Sequence, residues 1–273
     1  MIIFSLNWCD YIALFSILFI GIPHGAFDGA ISITLGYTKK LRLQLYFILT
    51  YILVSCVVII LWYFLPVITL VLFILTSIFH FGCGDLDWNK SKFYFIGGYV
   101  HGCLIVLGII FLNKIEVNSF FEILSGDHLS LLWTSLYLGL FFWIIAITYI
   151  CLNYSKINIS NNYIKLALSI SLVVLLLPPL PAFAIYFCLI HSFHHIRRTL
   201  PILVDFMEKQ KAIFLMIIFS ILSWVGCGIA FYYLSNLNTY PDTIIKVTFI
   251  GLAALTFPHM ILVDGFFRSK FKI

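Results

Sequence analysis

His191-Ser192-Phe193-His194-His195 places three imidazoles in five residues, inside an apolar stretch from about Pro181 to Ile196. On a helix, positions i and i+4 share a face. His191 and His195 can therefore present ring nitrogens to a common centre, with His194 about a turn from His191. This is a metal-chelating face, and His194 reads as a supporting or pocket residue. Two further constellations have the same character. In Pro23-His24-Gly25-Ala26-Phe27-Asp28-Gly29 the carboxylate lies four residues after the imidazole and can orient it, as metal-bound histidines require. Gly21, Gly25 and Gly29 let neighbouring helices approach closely there. In Phe79-His80-Phe81-Gly82-Cys83-Gly84-Asp85 the histidine ends an apolar run and Asp85 follows five residues later, with Asp87 solvated at the interface.

The remaining histidines are less pointed. His101-Gly102, and Pro258-His259 with Asp264, have no histidine partner at helical spacing, so a plain buried packing role and a functional one, pocket lining or support of a ligand, are equally good readings. His128 follows Asp127 in an outer loop and reads as solvated. An all-imidazole set with no cysteine nearby suits zinc, copper or iron, and spacing does not choose among them. Zinc would favour a hydrolase with a water route, and iron oxygen chemistry on an apolar substrate.

The elements that must carry these residues are membrane helices. The chain of 273 residues is 63% hydrophobic and 10% charged, with mean hydropathy +1.10. Too little polar surface exists to cover a soluble domain. The fold expected is an all-α polytopic transmembrane bundle forming a single integral membrane domain over 1–273, without repeats. A bilayer core needs roughly 20 apolar residues per span. The segments read as spans are approximately 10–37, 43–65, 67–84, 93–112, 129–152, 163–180, 182–199, 212–235 and 244–266, which makes nine. The break near Gly21-Ile22-Pro23 and the tight turns at Pro66 and Pro178 leave eight open. The first apolar run, with no basic region before it and no small-residue cleavage site, reads as a permanent span and not a removable signal.

With nine spans and the N-terminus outside, Lys39, Lys40, Arg42, Lys90, Lys92, Lys156, Lys165, Arg197, Arg198, Lys209, Lys211, Arg268, Lys270 and Lys272 fall inside. Lys114 and Lys246 fall outside. That bias obeys the positive-inside rule. It also accounts for the net charge of +5 without a nucleic-acid partner, since the basic residues form no groove-like cluster. At 1.5 Å per residue, His24, His80, His191 and His195 lie roughly 14–20 Å below the outer face, in one layer, with His259 somewhat deeper and His101 near it. The seven cysteines show no CxxC pair and read as packing residues.

In order along the chain, PHGAFDG (Pro23 to Gly29), FHFGCGD (Phe79 to Asp85), HG (His101, Gly102), HSFHH (His191 to His195) and PH (Pro258, His259) resemble the Brp/Blh family of membrane β-carotene 15,15′-dioxygenases. The likeness spans nearly the whole chain. It implies cleavage of β-carotene by O2 at the central double bond into two all-trans-retinal. It also implies one non-haem Fe(2+) held by His24, His80, His191 and His195, with Asp28, Asp85, His101, His194 and His259 as supporting or pocket residues. The implied setting is the lipid bilayer of a prokaryotic inner membrane, C-terminus cytoplasmic if nine spans cross it. The retinal would supply a microbial rhodopsin.

Other classes fit less well. The spacing His191-x-x-His194-His195 also resembles a histidine box of membrane di-iron desaturases and hydroxylases, but those enzymes carry several boxes and this chain has one. A bis-histidine haem carrier or an accessory to opsin maturation is the non-catalytic alternative. An opsin itself is disfavoured, because Lys246 sits at the end of the last span and not at mid-membrane.

Overall fold

The computed structural model describes residues 6–86, 92–157 and 160–271, without the side chain of His24. Asp87, Lys90 and Lys272 lie outside the described residues. Among the described residues, all regular structure is helical.

The chain enters α1 (Trp8–Ser16) through a reciprocal cap, in which Asn7 accepts from the Asp10 amide and Asp10 accepts from the Asn7 amide. A π-turn over Ile17–Gly21 follows, then the short α2 (Ile22–Gly25) with Pro23 near its start, and α3 (Asp28–Leu35). Gly36, at φ 92°, ends α3 in the left-handed region that a glycine adopts without strain. The expected first span, 10–37, is thus a broken run of short helices. Next comes α4 (Leu41–Phe64), apolar on every side.

Pro66 opens α5 (Pro66–Asp85), where its missing N–H costs nothing. Then come α6 (Tyr94–Leu112), α7 (Lys114–Ser125), α8 (Ser130–Leu152), α9 (Asn161–Leu176) and α10 (Pro179–Ile185). A second π-turn, Tyr186–His191, runs into α11 (Ser192–Val204), which is followed by α12 (Lys209–Leu234) and α13 (Tyr240–Met260). A third π-turn, Ile261–Phe267, leads into α14 (Arg268–Phe271).

Among the described residues, six helices are long and apolar enough to cross a membrane: Leu41–Phe64, Pro66–Asp85, Tyr94–Leu112, Ser130–Leu152, Lys209–Leu234 and the continuous Tyr240–Phe271. Trp8–Gly21 and Asn161–Leu176 are apolar but shorter. Six therefore meet the length and hydropathy requirement where eight or nine were expected. The segments that fall short are those interrupted by Gly21-Ile22-Pro23 and by the Pro178–Pro181 turn. The apolar stretches of α4, α8 and α12 are only 11%, 6% and 11% buried within the protein. Their surfaces suit lipid and not water.

The chain forms two compact units: residues up to Phe64 with those from Ser192 onward, and Leu65–His191. In the second, α5 lies directly on α6. A Cβ on Gly82 would run into the Gly98 carbonyl, and one on Gly102 into that of Ile78. This glycine seam brings backbone to backbone, as small residues do between membrane helices. Helix α8 is tied to α6 by Trp143, whose indole donates to the Val100 carbonyl (3.0 Å), and by Tyr99, whose hydroxyl donates to that of Gly139 (2.8 Å).

In the first unit, α4 and α12 pack on α13, while α2 packs on α11, α12 and α13. Phe27, Ile31, Leu203, Leu262, Val263 and Phe267 form its apolar centre. The indole of Trp224 donates to the Leu18 carbonyl (2.9 Å), engaging a backbone group of the first π-turn that would be costly to leave unmade in lipid.

Candidate metal centre

In the Leu65–His191 unit, the glycine seam holds α5 rigidly and so fixes His80 and Asp85 near its end. His191 closes the second π-turn. The rings of His80 and His191 stand 5.0 Å apart between centroids and 66° from coplanar, both essentially buried. Asp85 accepts two hydrogen bonds, from the Tyr186 hydroxyl at 2.7 Å and from His191 Nδ1 at 3.1 Å. An ionised carboxylate only accepts, so His191 carries its proton on Nδ1 and offers the lone pair of Nε2. His101 stands behind this pair, with Nε2 4.0 Å from the other Asp85 oxygen and Nδ1 3.3 Å from the Tyr163 hydroxyl. Phe81 and Phe187 flank the His191 ring, at 4.8 and 6.2 Å between centroids.

The other unit repeats the motif with different residues. His195, on α11, and His259, on α13, have ring centroids 5.2 Å apart at 67°. Asp28 accepts from the Tyr51 hydroxyl at 2.8 Å and from His259 Nδ1 at 2.8 Å. The same acceptor argument places the bonded proton on His259 Nδ1. His195 Nε2 lies 3.4 Å from the Thr199 hydroxyl. His24 is carried by α2, whose next residue, Gly25, leaves room for the His259 ring: a Cβ there would sit 3.6 Å from Nδ1. His194 is half-buried and His128 exposed.

The donor chemistry fits a metal ion. Two imidazoles bound to one ion at about 90–110°, with bonds of about 2.1 Å, have ring centres about 4.6–5.3 Å apart, and both observed pairs fall in this range with a steep mutual tilt, a geometry that edge-to-face ring packing shares. A carboxylate on the remote ring nitrogen is the usual brace of a ligating histidine, and it is present on His191 and on His259. Among the described residues, no three His, Cys, Asp or Glu side chains form a group that could enclose an ion.

Several sequence expectations are sharpened here. Asp28, expected to orient His24, bonds His259 and Tyr51. Asp264 pairs with Arg268 at 2.8 Å. Asp85 orients His191, from the far-off HSFHH motif, and Tyr51 and Tyr186 complete the two braces. No local spacing could have found these tyrosines. All three π-turns adjoin a histidine motif, preceding His24, ending at His191 and following His259 closely. Such widened turns recur at functional sites because they rotate the residues after them off the regular helical face.

A cleft of about 60 Å3 reaches the His259 ring, lined among others by Ile22, Ala26, Phe219, Leu252 and Leu255. Pockets for extended ligands are roughly 300–1,000 Å3, so this one admits only a molecule of a few atoms.

Comparison with known proteins places the chain among relatives. The family described as Beta-carotene 15,15'-dioxygenase matches over residues 15–267. A Beta-carotene 15,15'-dioxygenase from the uncultured marine bacterium 66A03 is 34% identical over 275 residues, covering 98% of this chain and 98% of that protein. No solved structure matches the chain.

Proposed function

The chain belongs to the Beta-carotene 15,15'-dioxygenase family, and from that premise we propose that it cleaves β-carotene with O2 at the central double bond, giving two all-trans-retinal. Its enzymatic class, a carotenoid-cleaving dioxygenase, follows from the family. The cofactor in this reading is one Fe(2+) ion, with His24, His80, His191 and His195 as ligands. The observation that carries it is the His80–His191 ring pair, buried, at 5.0 Å, with Asp85 bracing His191.

Bound there, iron would supply the site at which dioxygen is activated beside the polyene. The chain's own residues do the rest. Asp85 holds the proton of His191 on Nδ1 and so keeps Nε2 available. Tyr186 fixes the carboxylate in turn. Phe81, Phe183 and Phe187 form a dry aromatic wall next to His191, suited to a conjugated hydrocarbon and hostile to water. The exposed apolar faces of α4, α8 and α12 fit an enzyme whose substrate arrives through the bilayer. The narrow cleft at His259 suits dioxygen by its size. A prokaryotic inner membrane, with the N-terminus outside and a rhodopsin taking up the retinal, completes the reading.

The test is expression in cells that accumulate β-carotene. Changing His24, His80, His191 or His195 to Ala should each leave the cells orange with no retinal by chromatography, whereas His128→Ala should bleach them like the parent. Full cleavage after any of the four changes removes that residue from the ligand set. Two irons per purified chain would favour the di-iron desaturase reading instead.

A further inference from the structure

We propose that His259 is itself a metal ligand, binding through Nε2, and that Asp28 and Tyr51 are the residues that position it. The inference rests on the iron reading above and adds a histidine that reading does not use.

Three observations within one unit carry it. The first is pair geometry. His259 stands to His195 at 5.2 Å and 67°, and His80 stands to His191 at 5.0 Å and 66°. This spacing and tilt suit two imidazoles on one ion, and edge-to-face ring packing, as in Phe81–His191 at 4.8 Å and 68°, gives the same geometry. The second is the brace. Tyr51–Asp28–His259 matches Tyr186–Asp85–His191 atom for atom: a phenol donates to one carboxylate oxygen, and Nδ1–H to the other. In the iron reading this brace serves a ligand at His191, and at His259 the same brace fixes the ring through Nδ1 with Nε2 on its far side. The third is the local backbone. Pro258 lies within α13 immediately before His259, and the Ile261–Phe267 π-turn begins two residues after it. Pro258 has no N–H for the helix ladder, and the π-turn alters the pitch beyond. Helix α13 is irregular on both sides of this one ring.

Packing agrees. Helix α2, which carries His24, lies on both α11 and α13, so the segments bearing His24, His195 and His259 meet in the same unit. Gly25 admits the His259 ring without a clash.

The alternative is a buried His–Asp–Tyr cluster that stabilises the fold and touches no metal. Metal titration of purified protein separates the two without reference to turnover. Detergent-solubilised wild type, His259→Ala, His259→Gln, Asp28→Asn and His191→Ala are stripped of metal and titrated with Fe(II) and with Co(II), whose visible absorption reports its ligands. We expect His259→Ala to bind at least about 100-fold more weakly with altered cobalt bands, and added imidazole to restore both in part. Asp28→Asn should lose about 10–100-fold in affinity, as removal of an outer brace does, and keep wild-type bands.

A merely structural His259 predicts lowered thermal stability with wild-type affinity and spectrum, and that result overturns the inference. If both His259 variants fail to fold, Asp28→Asn decides: unchanged affinity overturns it and the loss above supports it. If wild type and His259→Ala bind equally while His191→Ala does not bind, this inference alone falls. Should wild type take up neither ion, the iron reading falls and this inference with it.

Discussion

Replacing Asp85 by Asn tests the brace on His191 with little change in volume. The carboxylate takes two hydrogen bonds in a fully buried setting, 2.7 Å from Tyr186 and 3.1 Å from His191. An amide has a single acceptor oxygen, so one of the two donors must face an NH2 group. Leaving a buried donor unmet costs about 1–3 kcal/mol, and no water is present in a bilayer to relieve it. The Tyr186 bond is the shorter, so the amide oxygen should turn to the phenol and leave His191 without its acceptor. His191 then loses the group that keeps its proton on Nδ1. At about 1.4 kcal/mol per tenfold, 1–3 kcal/mol corresponds to about 5–150-fold, in line with the 10–100-fold losses seen when outer braces of metal ligands are removed. Retinal formation by purified protein is to be measured by chromatography, with iron per chain in the same sample. Tyr186→Phe is the control: the carboxylate remains to accept from His191, so the loss should stay near about 1 kcal/mol, the worth of one buried hydrogen bond. Asp85→Asn within twofold of wild type in both iron content and activity would refute the reasoning.

Gly102→Ala should destabilise the protein by about 1–3 kcal/mol, as overpacking of a close contact does, because the added methyl meets the Ile78 carbonyl. Thermal melting in detergent should show the drop, and Gly126→Ala, at a position with open space but φ 82° and ψ −176°, should also melt lower, by about 1–3 kcal/mol from backbone strain alone. Incubation with a ferrous chelator should abolish cleavage and Fe(II) should restore it; undiminished turnover by metal-free protein would rule out the metal reading.

Membrane character and the histidine motifs were legible in composition and spacing, because lipid imposes a compositional demand on every span and an imidazole deep in an apolar run is costly. Motif order carried the family as well, since five short patterns in sequence are jointly specific. What could not be read was pairing across the fold. Asp28 lies four residues from His24, which suggests a helical couple, yet its oxygens meet Tyr51 and His259, 23 and 231 positions away. The first segment is not one helix but α1, a π-turn, α2 and α3, so the i+4 rule that suggested the couple does not hold across it. The eight or nine spans expected are not confirmed, six helices among the described residues being long and apolar enough; the break near Gly21-Ile22-Pro23 was legible in the sequence, but the backbone divides 10–37 further, into α1, a π-turn, α2 and α3.

In each unit a buried carboxylate, Asp28 or Asp85, accepts from a phenol and an imidazole. A lone buried Asp is strongly disfavoured in hydrocarbon, and a structural role would be met more cheaply by an uncharged acceptor such as Asn. The carboxylate does what an amide cannot: it accepts from two donors at once, and its charge strengthens the Nδ1–H bond and makes the far ring nitrogen more basic. Placing the tyrosine on the outer oxygen keeps the carboxylate from rotating, so that both its position and the ring's are set. The recurrence of this Tyr–Asp–His order on unrelated segments of the chain suits the proposed metal centre, in which the carboxylate would fix the ring and strengthen its donor nitrogen at His259 as at His191.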